Sequence, residues 1–203
     1  MKYYILTILF VFYLPSFAQV AETAEDISPL LIGEKIPPTN LLSMDNEKVL
    51  TADLFKEKPT VLLFYRGGWC PYCNAHLAAV GEITEEIKGL GYQILAVSPD
   101  SPQNLNKSME DQQLEYKLIS DADGNFSKAM GLAFKSPDKY ASMLSEYSDG
   151  GNTGFLPVPA LFIVDREGTI LFEYISPDYK NRIEAPLLLK VLEFYSKKTN
   201  KKI

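Results

Sequence analysis

The chain has 203 residues, 46% of them apolar and 23% charged, which suffices to bury one core and argues against disorder. A formal net charge of -6 would repel a polyanion, and the only dense lysine run is the short tail at 197–202, so nucleic acid is not an expected partner. Two cysteines and a single histidine are too few ligands to favour a metal site.

Residues 1–18 carry Lys2, an apolar stretch from Tyr3 to Leu14, and a small-x-small ending at Ser16 and Ala18. That pattern predicts a signal peptide cleaved after Ala18 and an exported, periplasmic protein, because about twelve apolar residues fall short of the ~20 that span a bilayer. No stable membrane insertion is expected after cleavage. Residues 19–32 are polar, acidic and aperiodic, and read as a flexible leader to a single domain over 33–203.

The domain opens on a turn-rich Gly33-Glu34-Lys35-Ile36-Pro37-Pro38 segment, extended because each proline disfavours helix at the residue before it. A short strand or hairpin over 40–50 turns at Asp45-Asn46. Residues 60–65 (TVLLFY) form an unbroken β-prone apolar run, the pattern of a central strand covered on both faces. After Gly67-Gly68, apolar residues at 77, 80, 83 and 87 predict a helix from Pro71 to Ile87, ending near Gly89 and Gly91.

Residues 93–97 give the next buried strand, Ser98-Pro99-Asp100-Ser101-Pro102 a turn and cap, and a polar helix runs on to Gln113. Residues 116–120 are strand-like, 127–131 a short helix, and 135–157 an irregular insertion that is equally a substrate-facing lid or a variable surface loop. Strands over 160–164 and 169–175 form a hairpin around Asp165-Arg166-Glu167-Gly168, and a closing helix covers 181–197. The order implies an α/β fold with a mixed central sheet and helices on both faces.

The two cysteines lie three apart, in Cys70-Pro71-Tyr72-Cys73, at the turn from a buried strand into a helix. So small a ring adds little by loop entropy, which puts the weight on its chemistry. A free thiol near pKa ~8.5 is mostly protonated at neutral pH, whereas unpaired N–H groups and the dipole at a helix N-terminus favour the thiolate. Pro71 suits the first helical position and keeps Cys73 one turn from Cys70, making a reversible dithiol-disulfide pair that needs no cofactor. Trp69 is expected to wall the motif and Arg66 is a candidate to stabilise the thiolate, its alternative being a solvated strand-end charge. His76 reads as a helix-surface residue.

The block FYRGGWCPYC over 64–73, followed by LPVPALFIVDREGTI over 156–170, resembles the peroxiredoxin-like (AhpC/TSA) branch of the thioredoxin superfamily. The resemblance covers 33–195 and implies a thioredoxin-like fold. It also implies that Pro159 is a cis-proline facing the motif, exposing the Val158 backbone to a partner's extended chain.

Laid on the family's peroxidase motif, Pro-x-x-x-Thr-x-x-Cys, this chain has Arg66 at the proline, Cys70 at the threonine and Cys73 at the peroxidatic cysteine. The family's peroxidases carry arginine where Pro159 stands, and no distant resolving cysteine exists here. Thioredoxins place a buried acid six residues before the first cysteine, where this chain has Phe64, leaving proton transfer to a Glu, a Lys or water. The expected function is therefore thiol-disulfide exchange through Cys70 and Cys73, on protein or small-molecule disulfides, with an unidentified thiol as electron donor. The alternatives are a thiol peroxidase reducing hydroperoxides and a redox-inert metal-binding domain.

Overall fold

The computed structural model describes residues 20–152 and 154–200; the expected signal peptide over 1–18 lies outside them. A seven-stranded mixed sheet runs in the order β2-β1-β5-β4-β3-β8-β9. Its strands are β1 (Asn40–Leu42), β2 (Lys48–Leu50), β3 (Thr60–Phe64), β4 (Gln93–Ser98), β5 (Lys117–Ser120), β8 (Ala160–Val164) and β9 (Ile170–Ile175). β3, β4 and β5 are mutually parallel, and β8 runs antiparallel to β3.

Every residue of β3 is buried, as its unbroken apolar run demands, and alternation divides them between two cores. Val61 and Leu63 face a cluster with Leu77 and Val80 of α2 (Pro71–Glu82), Ile87 of α3 (Thr84–Gly89), Leu105 of α4 (Pro102–Gln112) and Leu188 of α7 (Ala185–Asn200). Leu62 and Phe64 face Leu54 of α1 (Thr51–Glu57) and Phe126 of α5 (Asn125–Ala129). The expected α/β arrangement, a mixed sheet between two helical layers, is the one observed.

Four local expectations are corrected. The helix from Pro71 is two helices, broken at Ile83 (φ -111°, ψ 17°), where the Thr84 hydroxyl donates back to the Val80 carbonyl at 3.2 Å. The insertion over 135–157 is not irregular. It holds α6 (Ala141–Tyr147) and β7 (Phe155–Pro157), the latter paired with β6 (Ala133–Lys135), and Tyr147 O accepts from Ser101 N at 2.8 Å to dock it on the start of α4. The closing helix starts at Ala185 because Asp178 organises a turn before it, its carbonyl accepting from Asn181 N at 3.0 Å.

Finally, the leader is not loose. Ala21 bridges Phe134, donating to Ala133 O at 2.9 Å and accepting from Lys135 N at 2.8 Å, and Leu30 N bonds Met130 O at 3.1 Å. Unpaired backbone along the edge of β6 is thereby satisfied, which fixes the stretch in place. Among the described residues no helix is long and apolar enough to cross a membrane.

Candidate active site

The parallel strands β3 and β4 end side by side, and the chain leaving each builds the site. From β3 the backbone turns through Gly67 (φ +140°) and Gly68 into Trp69 and Cys70. A Cβ on Gly67 would collide with the Trp69 indole and come within 2.7 Å of the Asp100 carboxylate, so this turn is closed to any side chain. From β4 comes Asp100 itself, buried, its Oδ2 accepting the Gly68 N–H at 2.7 Å. Burial pushes the Asp100 carboxyl up to about 7.

Cys70 is the N-cap of α2 and Pro71 its first residue, as expected. The Cys70 carbonyl accepts from the N–H groups of Cys73 and Asn74, both at 3.0 Å, and the Asn74 amide donates to Gly68 O at 2.8 Å, tying the helix start to the glycine turn. Both cysteines are free thiols and both are buried.

Their chemistry is opposed. A hydrogen bond from the Cys73 thiol, joined by the Cys73 backbone N–H and the charges of Arg66 and Arg182, outweighs burial and lowers Cys70 to about 6. Cys73 is pushed well up, because it gives that hydrogen bond and is itself buried. The hydrogen bond between the two sulfurs thus favours the charge on Cys70 over Cys73.

Arg66 is 5% exposed and is not a solvated strand-end charge. Its guanidinium carbon lies 4.9 Å from the Trp69 ring centroid, 5.3 Å from Tyr140 and 4.4 Å from Tyr179. It enters no ion pair among the described residues, and its Nε has no hydrogen-bond partner there. The Trp69 ring lies 5.5 Å from that of Tyr140 in the insertion.

Val158 and Pro159 lie at the joint between β7 and β8, and two expectations about them fail. The Val158–Pro159 peptide is trans. Nor is the Val158 N–H free to pair with a partner's chain, since it donates to Leu132 O at 2.9 Å, while Pro159 O accepts from Ser176 N at 3.2 Å. The joint is held from both sides by the protein's own backbone. Pro159 nevertheless lines a cavity with Arg66, Tyr140 and Tyr179.

Residues the sequence did not single out complete the site. Tyr179 and Arg182 come from the loop between β9 and α7, with Arg182 Nη2 3.7 Å from Cys73 Sγ. Tyr140 comes from the insertion, and no local motif marks any of the three. Asp100 had a usable signal, standing just past the carboxyl end of a buried parallel strand, where α/β sheets place their sites. His76 is not a surface residue: it is half-buried, its Nε2 has no partner, and burial with the Arg182 charge lowers it to about 4. Among the described residues no three His, Cys, Asp or Glu side chains converge on a metal position.

A thioredoxin-type α/β sheet with two free cysteines at one helix start fits a redox enzyme. The chain belongs to the AhpC/TSA family, whose family model matches residues 32–172. It is 25% identical over 167 residues to peroxiredoxin Bcp of Escherichia coli K12, covering 82% of this chain and 98% of that one. It is also 25% identical over 163 residues to the thiol-disulfide oxidoreductase ResA of Bacillus cereus, covering 80% of each. Among solved structures, reduced Prx3 of Vibrio vulnificus shares the fold with a TM-score of 0.69 at 21% identity, covering 80% of this chain and 99% of that one.

Proposed function

We propose that this chain is a thiol-disulfide oxidoreductase in which Cys70 is the nucleophile and Cys73 the resolving thiol. The Cys70 thiolate attacks a substrate disulfide, forming a mixed disulfide and releasing one substrate sulfur as thiolate. Cys73 then gives up its proton and attacks Cys70 Sγ, which releases the second substrate thiolate and leaves the Cys70–Cys73 disulfide. Two electrons pass from the dithiol to the substrate, and an external thiol returns them.

The observation that carries this reading is the placement of the pair: Cys70 caps the N-terminus of α2, where the helix start favours a thiolate, while Cys73 lies one turn inside the helix and holds its proton more tightly. It argues against the peroxidase alignment, which would make Cys73, here the group that holds its proton, the attacking sulfur. The setting proposed for the reaction is outside the cytoplasm, on the strength of the apolar stretch before Ser16 and Ala18.

Family membership favours a second reading on the same two sulfurs. Cys73, at the family's peroxidatic position, would attack a hydroperoxide O–O bond to give a sulfenic acid, and Cys70 would condense with it, releasing water. To separate the two, reduced protein is mixed with stoichiometric hydrogen peroxide or with a dithiol's disulfide, following the fluorescence of the single tryptophan, Trp69. Fast exchange with the disulfide and slow reaction with peroxide is the expected result. The reverse order would make the chain a peroxidase.

A further inference from the structure

A buried cation without a counter-ion is costly, and Arg66, which enters no ion pair among the described residues, is such a cation, near enough for its charge to act on Cys70. Its ring neighbours offset part of the cost, and the hydroxyl of Tyr140 lies close enough for Arg66 to lower its pKa. In the reduced protein a Cys70 thiolate, as proposed above, adds to that compensation. That charge vanishes once Cys70 Sγ enters a disulfide, so Arg66 then lacks an anion unless the substrate brings one.

The place for such an anion exists. Arg66, Pro159, Leu156, Tyr140 and Tyr179 line a cavity of about 400 Å³, within the range that holds a small organic molecule. The other charges around it are on exposed side chains. Glu22 is paired with Lys135, Glu25 also lines the cavity, and Lys139 stands with its ammonium 5.0 Å from the Tyr140 ring and in no ion pair among the described residues.

We infer that this cavity is a subsite for a carboxylate carried on the substrate, so that the enzyme selects small organic disulfides bearing a carboxylate a few carbons from sulfur. The inference rests on the proposed disulfide exchange through Cys70. It predicts a preference opposed to the net charge of -6, so steering by the overall field cannot produce it.

The test compares reduced protein reacting with 3,3′-dithiodipropionate, bis(2-hydroxyethyl) disulfide and cystamine, each rate divided by that of the same disulfide with dithiothreitol. The dicarboxylate is expected to exceed the diamine by about tenfold, what one charge-assisted hydrogen bond contributes. Arg66 is buried and its replacement could unfold the site, so the variant used is the exposed Lys139→Glu, expected to cut that preference by about threefold. Equal normalised rates for the three disulfides would overturn the subsite while leaving disulfide exchange standing. So would a preference that survives unchanged in Lys139→Glu. No reaction with any of the three would overturn the exchange reading and the subsite together.

Discussion

Within the family's peroxidase frame, the position of the motif proline holds Arg66 and that of the threonine holds Cys70, and both replacements act on sulfur. On the proposed reading the attacking thiolate is at the helix cap, one turn before the Cys73 position. Alkylation of the reduced protein should therefore show a pH midpoint near the value of about 6 set for Cys70. Replacing the main cause, as Cys73→Ala, should raise that midpoint more than Arg66→Gln, and rapid iodoacetamide labelling across pH would rank them. If Arg66→Gln shifts it further, the cation rather than the thiol donor dominates.

His76 gives a second prediction at this scale. Its folded pKa of about 4 lies below the ordinary 6.5, so between those values the unfolded chain takes a proton that the native one refuses. Stability contributed by the neutral imidazole is thus lost as pH falls from 6.5 toward 4, by up to about 3 kcal/mol. His76→Gln should flatten this part of the urea-unfolding profile, while an unchanged slope would assign the acid lability to other groups.

At the scale of elements, the site depends on how closely the ends of β3 and β4 approach. The Gly67–Gly68 turn must pass under Trp69 and over Asp100, and a Cβ on Gly68 would also strike the Ser108 hydroxyl of α4. Gly67→Ala, strained at φ +140° and short of space, should cost about 1–3 kcal/mol and lower Tm by at least roughly 3 °C. Thermal unfolding of the reduced variant would check this, and an unchanged Tm would mean that the turn relaxes freely. Asp100 holds the same turn through Gly68 N–H, so its burial serves the geometry of Cys70 from a strand that does not carry the motif. The loop before α7 and the insertion containing α6 close the other sides with Tyr179, Arg182 and Tyr140.

Across the whole molecule, redox state and folding are linked through Cys70. Its folded pKa of about 6 is depressed below the ordinary thiol value of 9.0, so the thiolate's contribution is complete above the unfolded value and lost as pH falls through the folded one. The oxidised protein has no thiol to titrate. The stability of the reduced form relative to the oxidised form should therefore rise between pH 6 and about 9, by no more than roughly 3 kcal/mol once solvent screening is allowed for. Paired chemical denaturation of the two forms would show it, and a pH-independent difference would mean that Cys70 is not a native thiolate. The same linkage makes the native fold favour the dithiol as pH rises, drawing electrons toward this pair from its donor.

By itself the sequence determined the central strand, the helix that follows it, the cap position of Cys70 and the alternating αβ order. These follow from local pattern: an apolar run too long for a one-sided strand, a 3.6-residue period, and a proline that fits only at a helix start. Tertiary structure alone decided that Arg66 is buried in an aromatic cage, that Arg182 reaches Cys73, and that His76 is covered. It also fixed residues 20–32 through Ala21 on β6 and Leu30 on Met130, and made the Val158–Pro159 joint trans, against what the family resemblance implied. Each of these depends on segments far apart in the chain meeting in the folded protein. Burial and charge compensation are properties of that meeting, and no local spacing encodes them.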